Sequence, residues 1–312
     1  MASDLYQLKP WSLMRESDLV LSADSATGHR MYCSVMGALG EVFAVHAYQG
    51  AATYRLFREI DPSDAGTVAE FFGIQESVYV EFAPSKELTP PDRKLLTALD
   101  HPLRSATTAP VFRSIRPGYQ PWYVTEQDAG RLADALFAVL VITSMLIRQP
   151  KLTFWSEQEV FPQVTCASGE QRQADVELKR IGPDDVGPTP REALREKGAA
   201  AFCSRKPTLE GTIEVDYFLT GAIIGRKKER KAWIQIALAV DAETGIAFPP
   251  EIVSPGSSAG EALFAAILKA SESRGALPKE VRVRSARFEE YLSGFAEVSG
   301  VSVRVVESLP SL

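Results

Sequence analysis

Two aspartates stand at informative points of apolar segments: Asp216 lies midway along GTIEVDYFL, and Asp241 ends KAWIQIALAVD. Carboxylates gathered within a few ångströms can hold two divalent ions over the attacking and leaving oxygens of a phosphodiester, with Mg²⁺ as the cofactor such chemistry would use. Three or four acids are needed, and Glu289 and Glu307 are the further candidates downstream. Cations for a phosphate partner occur in two places. Arg226-Lys227-Lys228-Glu229-Arg230-Lys231 is the basic run of the chain, but no aromatic residue interleaves it, so it reads first as a solvated loop. Arg282, Arg284 and Arg287 gather where a strand ends, a common ligand-binding position in α/β sheets. Alternating exposed arginines on one strand face explain the first two equally well.

Other reactive side chains lack the spacing their chemistry requires. The three histidines are His29, His46 and His101, and no pair has the i, i+4 separation of a helical metal site. His29 and His46 can approach across neighbouring strands near Cys33 or Glu41, yet isolated structural histidines are the simpler expectation. Cys33 as a nucleophile with His46 as its base would need a depressed thiol pKa that nothing in the sequence marks. Gly37, Gly40 and Gly50 lack both the spacing and the Lys-Ser/Thr of a phosphate-binding loop. No resident metal, cofactor or complete catalytic set is therefore expected.

The elements that must position these residues are legible from pattern. ESDLVLSADSATGHRMYCSVMGALGEVFAVHAYQG reads as a three-stranded meander, with Asp24 opening the first turn and Gly28 closing it. Two short helices follow, the second capped by Asp64, then the strand SVYVEFAP and a helix with prolines in its first turn. APVFRSIRPGYQPWYV suggests two strands around Arg116-Pro117-Gly118. Thr125 then caps the long helix EQDAGRLADALFAVLVITSML, with Asp128 completing a capping box. Strand-like LTFW and ADVELKRI close an α+β domain over residues 1–181. Gly182 to Pro190 is rich in proline, glycine and acid, so 182–210, including the helix REALREKGAAAFC, is read as a linker and connecting helix. Residues 211–312 then give strand, strand, strand, helix, strand, helix, strand. GIAFPPEIV is the third strand, Ser258 or a neighbour caps the first helix, Pro278 introduces EVRVRS, and VSVRVVES is last. The turn Asp241-Ala-Glu-Thr-Gly245 repeats the chemistry of the Asp24 turn.

Composition bounds the rest. The 312 residues, 45% hydrophobic and 24% charged, suit two globular domains. Residues 1–190 hold 17 cations against 24 acids, whereas 191–312 hold 17 against 16, so neither half carries the basic excess of a nucleic-acid binder. Three scattered cysteines and the lack of a leader pattern point to a reducing cytoplasm. The apolar run Ala135–Ile147 is too short to span a bilayer, so no membrane partner is expected.

The order β-β-β-α-β-α-β over residues 211–309, with Asp216 in the first strand, Asp241 ending the second and Pro278 before the fourth, resembles the RNase H-like fold, most closely its integrase and transposase branch. The resemblance implies one metal-binding Asp on the first strand, which Asp216 matches. It implies a second acid at the end of the fourth strand, where this chain has Arg284-Ser285, and a third on a later helix, which would lie past Leu312. The segments YCSVMGALGE, PKEVRVRSARF and ESLPSL also make the chain similar to two-domain bacterial proteins of unknown function. Together these imply a non-catalytic protein in which a degenerate RNase H-like domain serves as an interaction or scaffold module, with a protein as the favoured partner. The alternatives are a metal-dependent nucleic-acid-processing enzyme using Asp241, Glu289 or Glu307, or an inactive nucleic-acid-binding domain contacting phosphates through Arg226, Lys227, Lys228, Arg282 and Arg284.

Overall fold

The computed structural model describes all residues except 26, 61, 62, 64, 102–106, 156–159, 167–173 and 182–207. The Asp64 cap, most of the linker and the helix REALREKGAAAFC lie outside the described residues. The fold is mixed α and β, with two sheets. The chain forms two compact units, and neither is one continuous stretch. The first comprises Met1–Tyr54, Glu76–Ile115 and Pro121–Val186; the second comprises Arg55–Gln75, Arg116–Gln120 and Gly187–Leu312.

The first unit is built on a sheet of seven strands. They are β1 (Val20–Asp24), β2 (Arg30–Met36), β3 (Ala44–Gln49), β4 (Ser77–Pro84), β5 (Thr108–Ile115), β6 (Val160–Cys166) and β7 (Ala174–Arg180), in the spatial order β5-β4-β3-β2-β1-β6-β7. The expected meander is β1-β2-β3. Its first turn works as its residues require: Asp24 Oδ1 accepts from the Thr27 amide and hydroxyl, and Gly28 takes φ +67°. Helices α1 (Ala2–Leu8), α4 (Pro90–Ala98) and α5 (Glu126–Arg148) complete the unit. Capping boxes at Thr89/Asp92 and Thr125/Asp128 start α4 and α5. Leu132, Ala135, Leu136, Val139, Ile142 and Leu146 recur at spacings of three and four on α5 and are buried in one core with Val20, Cys33, Val45 and Val80.

Three expectations for residues 1–181 are corrected. LTFW is not a strand: Phe154 is buried and Trp155 Nε1 donates to the Leu19 carbonyl, so the segment is fixed by side chains rather than by a ladder. The strand that does form is β6, parallel to β1 and antiparallel to β7, in VFPQVTC, where Pro162 obscures the pattern. After Arg116-Pro117-Gly118 there is no second strand, only single bridges from Tyr119 and Trp122, because Pro117 and Pro121 cannot donate to a ladder. The run Ala135–Ile147 lies within the expected long helix, α5, whose full length is not too short to span a bilayer. By length and composition it is the one described helix that could cross a membrane, but its apolar stripe is spent on the core just described.

The second unit contains a five-stranded sheet of β8 (Thr212–Ile224), β9 (Ala232–Asp241), β10 (Glu251–Val253), β11 (Glu280–Val283) and β12 (Ser302–Val305), ordered β10-β9-β8-β11-β12. β9 runs antiparallel to both β8 and β10, while β11 runs parallel to both β8 and β12. The third strand is shorter than GIAFPPEIV suggests, since Pro249 and Pro250 delay it to Glu251. Helix α6 (Ala259–Arg274), capped by Ser258 with Glu261, and α7 (Ala286–Ser299) pack Leu263, Phe264, Ile267, Phe288, Leu292 and Phe295 against Ile213, Val215 and Tyr217 of β8. Each such aliphatic or aromatic side chain contributes about 1.5–3 kcal/mol when fully buried. This core also takes Ala69 from α3 (Ala65–Ile74), which with part of α2 (Ala51–Glu59) is drawn from between β3 and β4 of the chain.

Candidate functional site

Alternation along β8 sends Ile213, Val215 and Tyr217 toward the helices and Glu214 and Asp216 to the opposite face. Both acids are nearly inaccessible, Glu214 at 1% and Asp216 at 9% exposure, so each needs a hydrogen-bonding partner. For Asp216 the partner is Arg284, whose Nε lies 3.0 Å from Oδ1 and 2.9 Å from Oδ2. Oδ1 also accepts the Tyr217 amide at 2.8 Å. Glu214 accepts the backbone N–H of Ser311 at 2.7 Å, so the C-terminal segment seals that carboxylate.

Arg284 follows β11 directly and supplies a fixed positive charge to Asp216. Ser285 caps α7, its Oγ accepting the Arg287 amide at 3.2 Å. The remaining arginines of the cluster have protein acids of their own: Arg282 pairs with Glu280 at 2.7 Å, and Arg287 pairs with Glu70 at 3.0 Å and with Glu59.

Asp241 does not converge with Asp216. It pairs with Ile213 across the ladder while Asp216 pairs with Leu238, so the two aspartates leave opposite faces of the sheet. Asp241 instead holds its own turn, with Oδ1 accepting the Thr244 and Glu243 amides at 2.9 and 3.0 Å; these bonds, led by the one from Thr244, keep its carboxyl below the usual range. Glu289 lies in α7 and Glu307 is exposed beyond β12. Among the described residues no group of three or more His, Cys, Asp or Glu side chains is placed to hold a metal ion.

The Cys33–His46 pairing is excluded by the pleat. Cys33 faces Ala47 across β2 and β3 and belongs to the core beneath α5, whereas His46 is opposite Ser34 on the other face. His46 stacks on Tyr79 with ring centres 4.2 Å apart, its Nδ1 has no partner among the described residues, and burial lowers its pKa to about 4. His29 is also lowered, by burial and by Arg131. The basic run forms the tip of the β8–β9 hairpin, where Arg226 is 88% exposed beside Glu229.

The second unit also holds a deeply buried polar cluster that no sequence pattern marks. Arg287 Nε donates to the Tyr291 hydroxyl, which donates to Glu70, a residue 3% exposed on α3. Burial raises the Glu70 carboxyl, the Arg287 charge opposes that rise, and burial together with Glu70 raises Tyr291. Gln235 Nε2 donates to the Ala69 carbonyl at 2.7 Å, fixing α3 to β9 as well. No sequence pattern links positions more than 200 residues apart.

Residues 1–163 match a family model described as a domain of unknown function, DUF7309, and residues 203–312 match another, DUF6930. No curated protein and no solved structure matches the chain. The first match spans more than half of the sequence, so the chain belongs to the DUF7309 family, as a protein of two domains of unknown function whose second is similar to DUF6930.

Proposed function

We propose that this is a non-catalytic, two-domain interaction protein whose C-terminal unit is a degenerate RNase H-like domain. The strand order β10-β9-β8-β11-β12, three antiparallel strands followed by two parallel ones separated by helices, supports the fold assignment. The observation that carries the functional reading is the contact of Arg284 with both carboxylate oxygens of Asp216. A guanidinium there satisfies the acid electrostatically but cannot activate water or polarise a phosphoryl oxygen as a divalent ion would. With Ser285 spent as a helix cap and Asp241 on the other face, the donor set for two metal ions is missing among the described residues. The buried Cys33 thiol suits a reducing compartment such as the cytoplasm.

The test is incubation of the full chain with labelled single- and double-stranded DNA and RNA in Mg²⁺ and in Mn²⁺. The expected result is no cleavage above a protein-free control. Metal-dependent cleavage that Asp216→Ala abolishes would overturn the reading.

A further inference from the structure

A cavity of about 400 Å³ lies in the first unit, walled by the start of α1, the end of α4, β5 and the first turns of α5. Leu96, Leu132 and Leu136 of its wall are buried, whereas Leu95, Leu99 and Ala129 are exposed, so it is closed toward the core and open to solvent. Ala129 and Ala133, one turn apart on α5, leave the space that larger side chains would fill. His101 is the one titratable side chain on this wall. Its backbone is fixed by the end of α4: Asp100 takes φ +53°, where glycine is the usual residue, and the His101 amide donates to the Leu96 carbonyl at 2.9 Å. Its imidazole is not fixed in this way. Nε2 is shut off from water with no hydrogen-bond partner among the described residues, a state that a folded protein rarely leaves without a purpose.

We infer that this cavity binds a small neutral molecule with an apolar body and one hydroxyl, which bonds to the His101 imidazole. Apolar walls with a single polar group to orient the ligand are the usual make-up of a small-molecule site. At the roughly 30 Å³ that one water occupies, the cavity has room for about a dozen non-hydrogen atoms. No lysine, arginine, aspartate or glutamate side chain lines it, so a charged ligand would lose its hydration without gaining a counter-charge. A hydroxyl gives the imidazole the partner it lacks, and because no described residue holds the ring, it is free to turn a nitrogen toward the ligand. A leucine or phenylalanine from another protein fits less well, since it would cover the walls and leave His101 unpaired. The site belongs to the first unit and is independent of Asp216 and Arg284.

Isothermal titration of the full chain tests this with three probes of matched size: thymol, which carries one hydroxyl, p-cymene, which lacks it, and cuminate, which carries a carboxylate instead. Thymol should bind saturably and most tightly, p-cymene more weakly and cuminate least. His101→Leu should bring thymol down to the affinity of p-cymene, a loss of about two- to tenfold, the scale of one hydrogen bond, and should leave p-cymene unchanged. Filling the cavity by Ala133→Phe, or by Ala129→Phe at an exposed position, should abolish saturable binding of both. Melting curves establish that each variant is folded, and Ala129→Phe carries the test if Ala133→Phe is not. Absence of saturable thymol binding, tightest binding of cuminate, a thymol preference that survives His101→Leu, or unchanged binding by a folded cavity-filling variant would each overturn the inference. None of these outcomes bears on the cleavage assay, which tests the catalytic reading by itself.

Discussion

His46 and Asp216 are both titratable groups set within a sheet, and the protein treats them in opposite ways. His46, stacked on Tyr79 with no partner for Nδ1 among the described residues, is kept neutral by burial. Asp216 has a guanidinium supplied by the same chain, with a main-chain N–H beside it. The contrast teaches where charge is tolerated: a buried group either discards its charge or brings a fixed counter-charge with it. Arg284 is therefore the counter-charge that Asp216 brings with it. The Arg287–Glu70 pair repeats the strategy at greater depth, joining α3 to α7.

Breaking the deeper pair should have the largest effect. Arg287→Ala leaves Glu70 buried without its counter-charge and should cost about 3–5 kcal/mol in urea unfolding, within the range for removing one partner of a buried ion pair. Next comes the pH response of His46. Its folded pKa lies below its unfolded value, so the unfolded chain binds the extra proton between about pH 6.5 and 4. Stability is complete above that window and is lost as pH falls through it, by on the order of 2 kcal/mol after allowing for partial exposure. His46→Phe should flatten this part of the stability–pH curve; an unchanged slope would show that the imidazole is not responsible.

A subtler test concerns the fit of α3. A Cβ at Gly73 would lie 3.0 Å from the Tyr217 hydroxyl and 3.2 Å from Gln235 Nε2. Gly73→Val should therefore cost about 1–3 kcal/mol through overpacking, whereas Gly130→Val on α5, where a Cβ meets nothing within 4 Å, should show no comparable clash. The smallest effect is expected at the shallower pair. Arg284 is 28% exposed, so water can partly replace it, and Arg284→Gln should cost about 1 kcal/mol or less. A loss as large as that of Arg287→Ala would erase the distinction between the two pairs.

Much of the second unit was readable because its strands and helices alternate with clear caps and turns. Ser258 and the Asp241 turn both act as their residue types require. Asp216 and Arg284 could each be singled out, but their contact depends on β8 and β11 being neighbours, which one-dimensional periodicity does not specify. Glu59 and Glu70 were beyond reach, since the partner residues Arg287 and Tyr291 lie more than 200 positions away. In the first unit, Pro162 hid β6, and the apolar LTFW imitated a strand although its aromatic side chains serve the packing. Burial alternation betrays a sheet; the identity of a distant partner leaves no local mark.

On the proposed reading, the guanidinium of Arg284 leaves Asp216 no part in holding a metal ion. Isothermal titration of the wild-type chain and of Asp216→Asn with Mn²⁺ decides the matter. Matching heats are expected, with no saturable site in either protein. A saturable site in the wild type that disappears in Asp216→Asn would refute the reading.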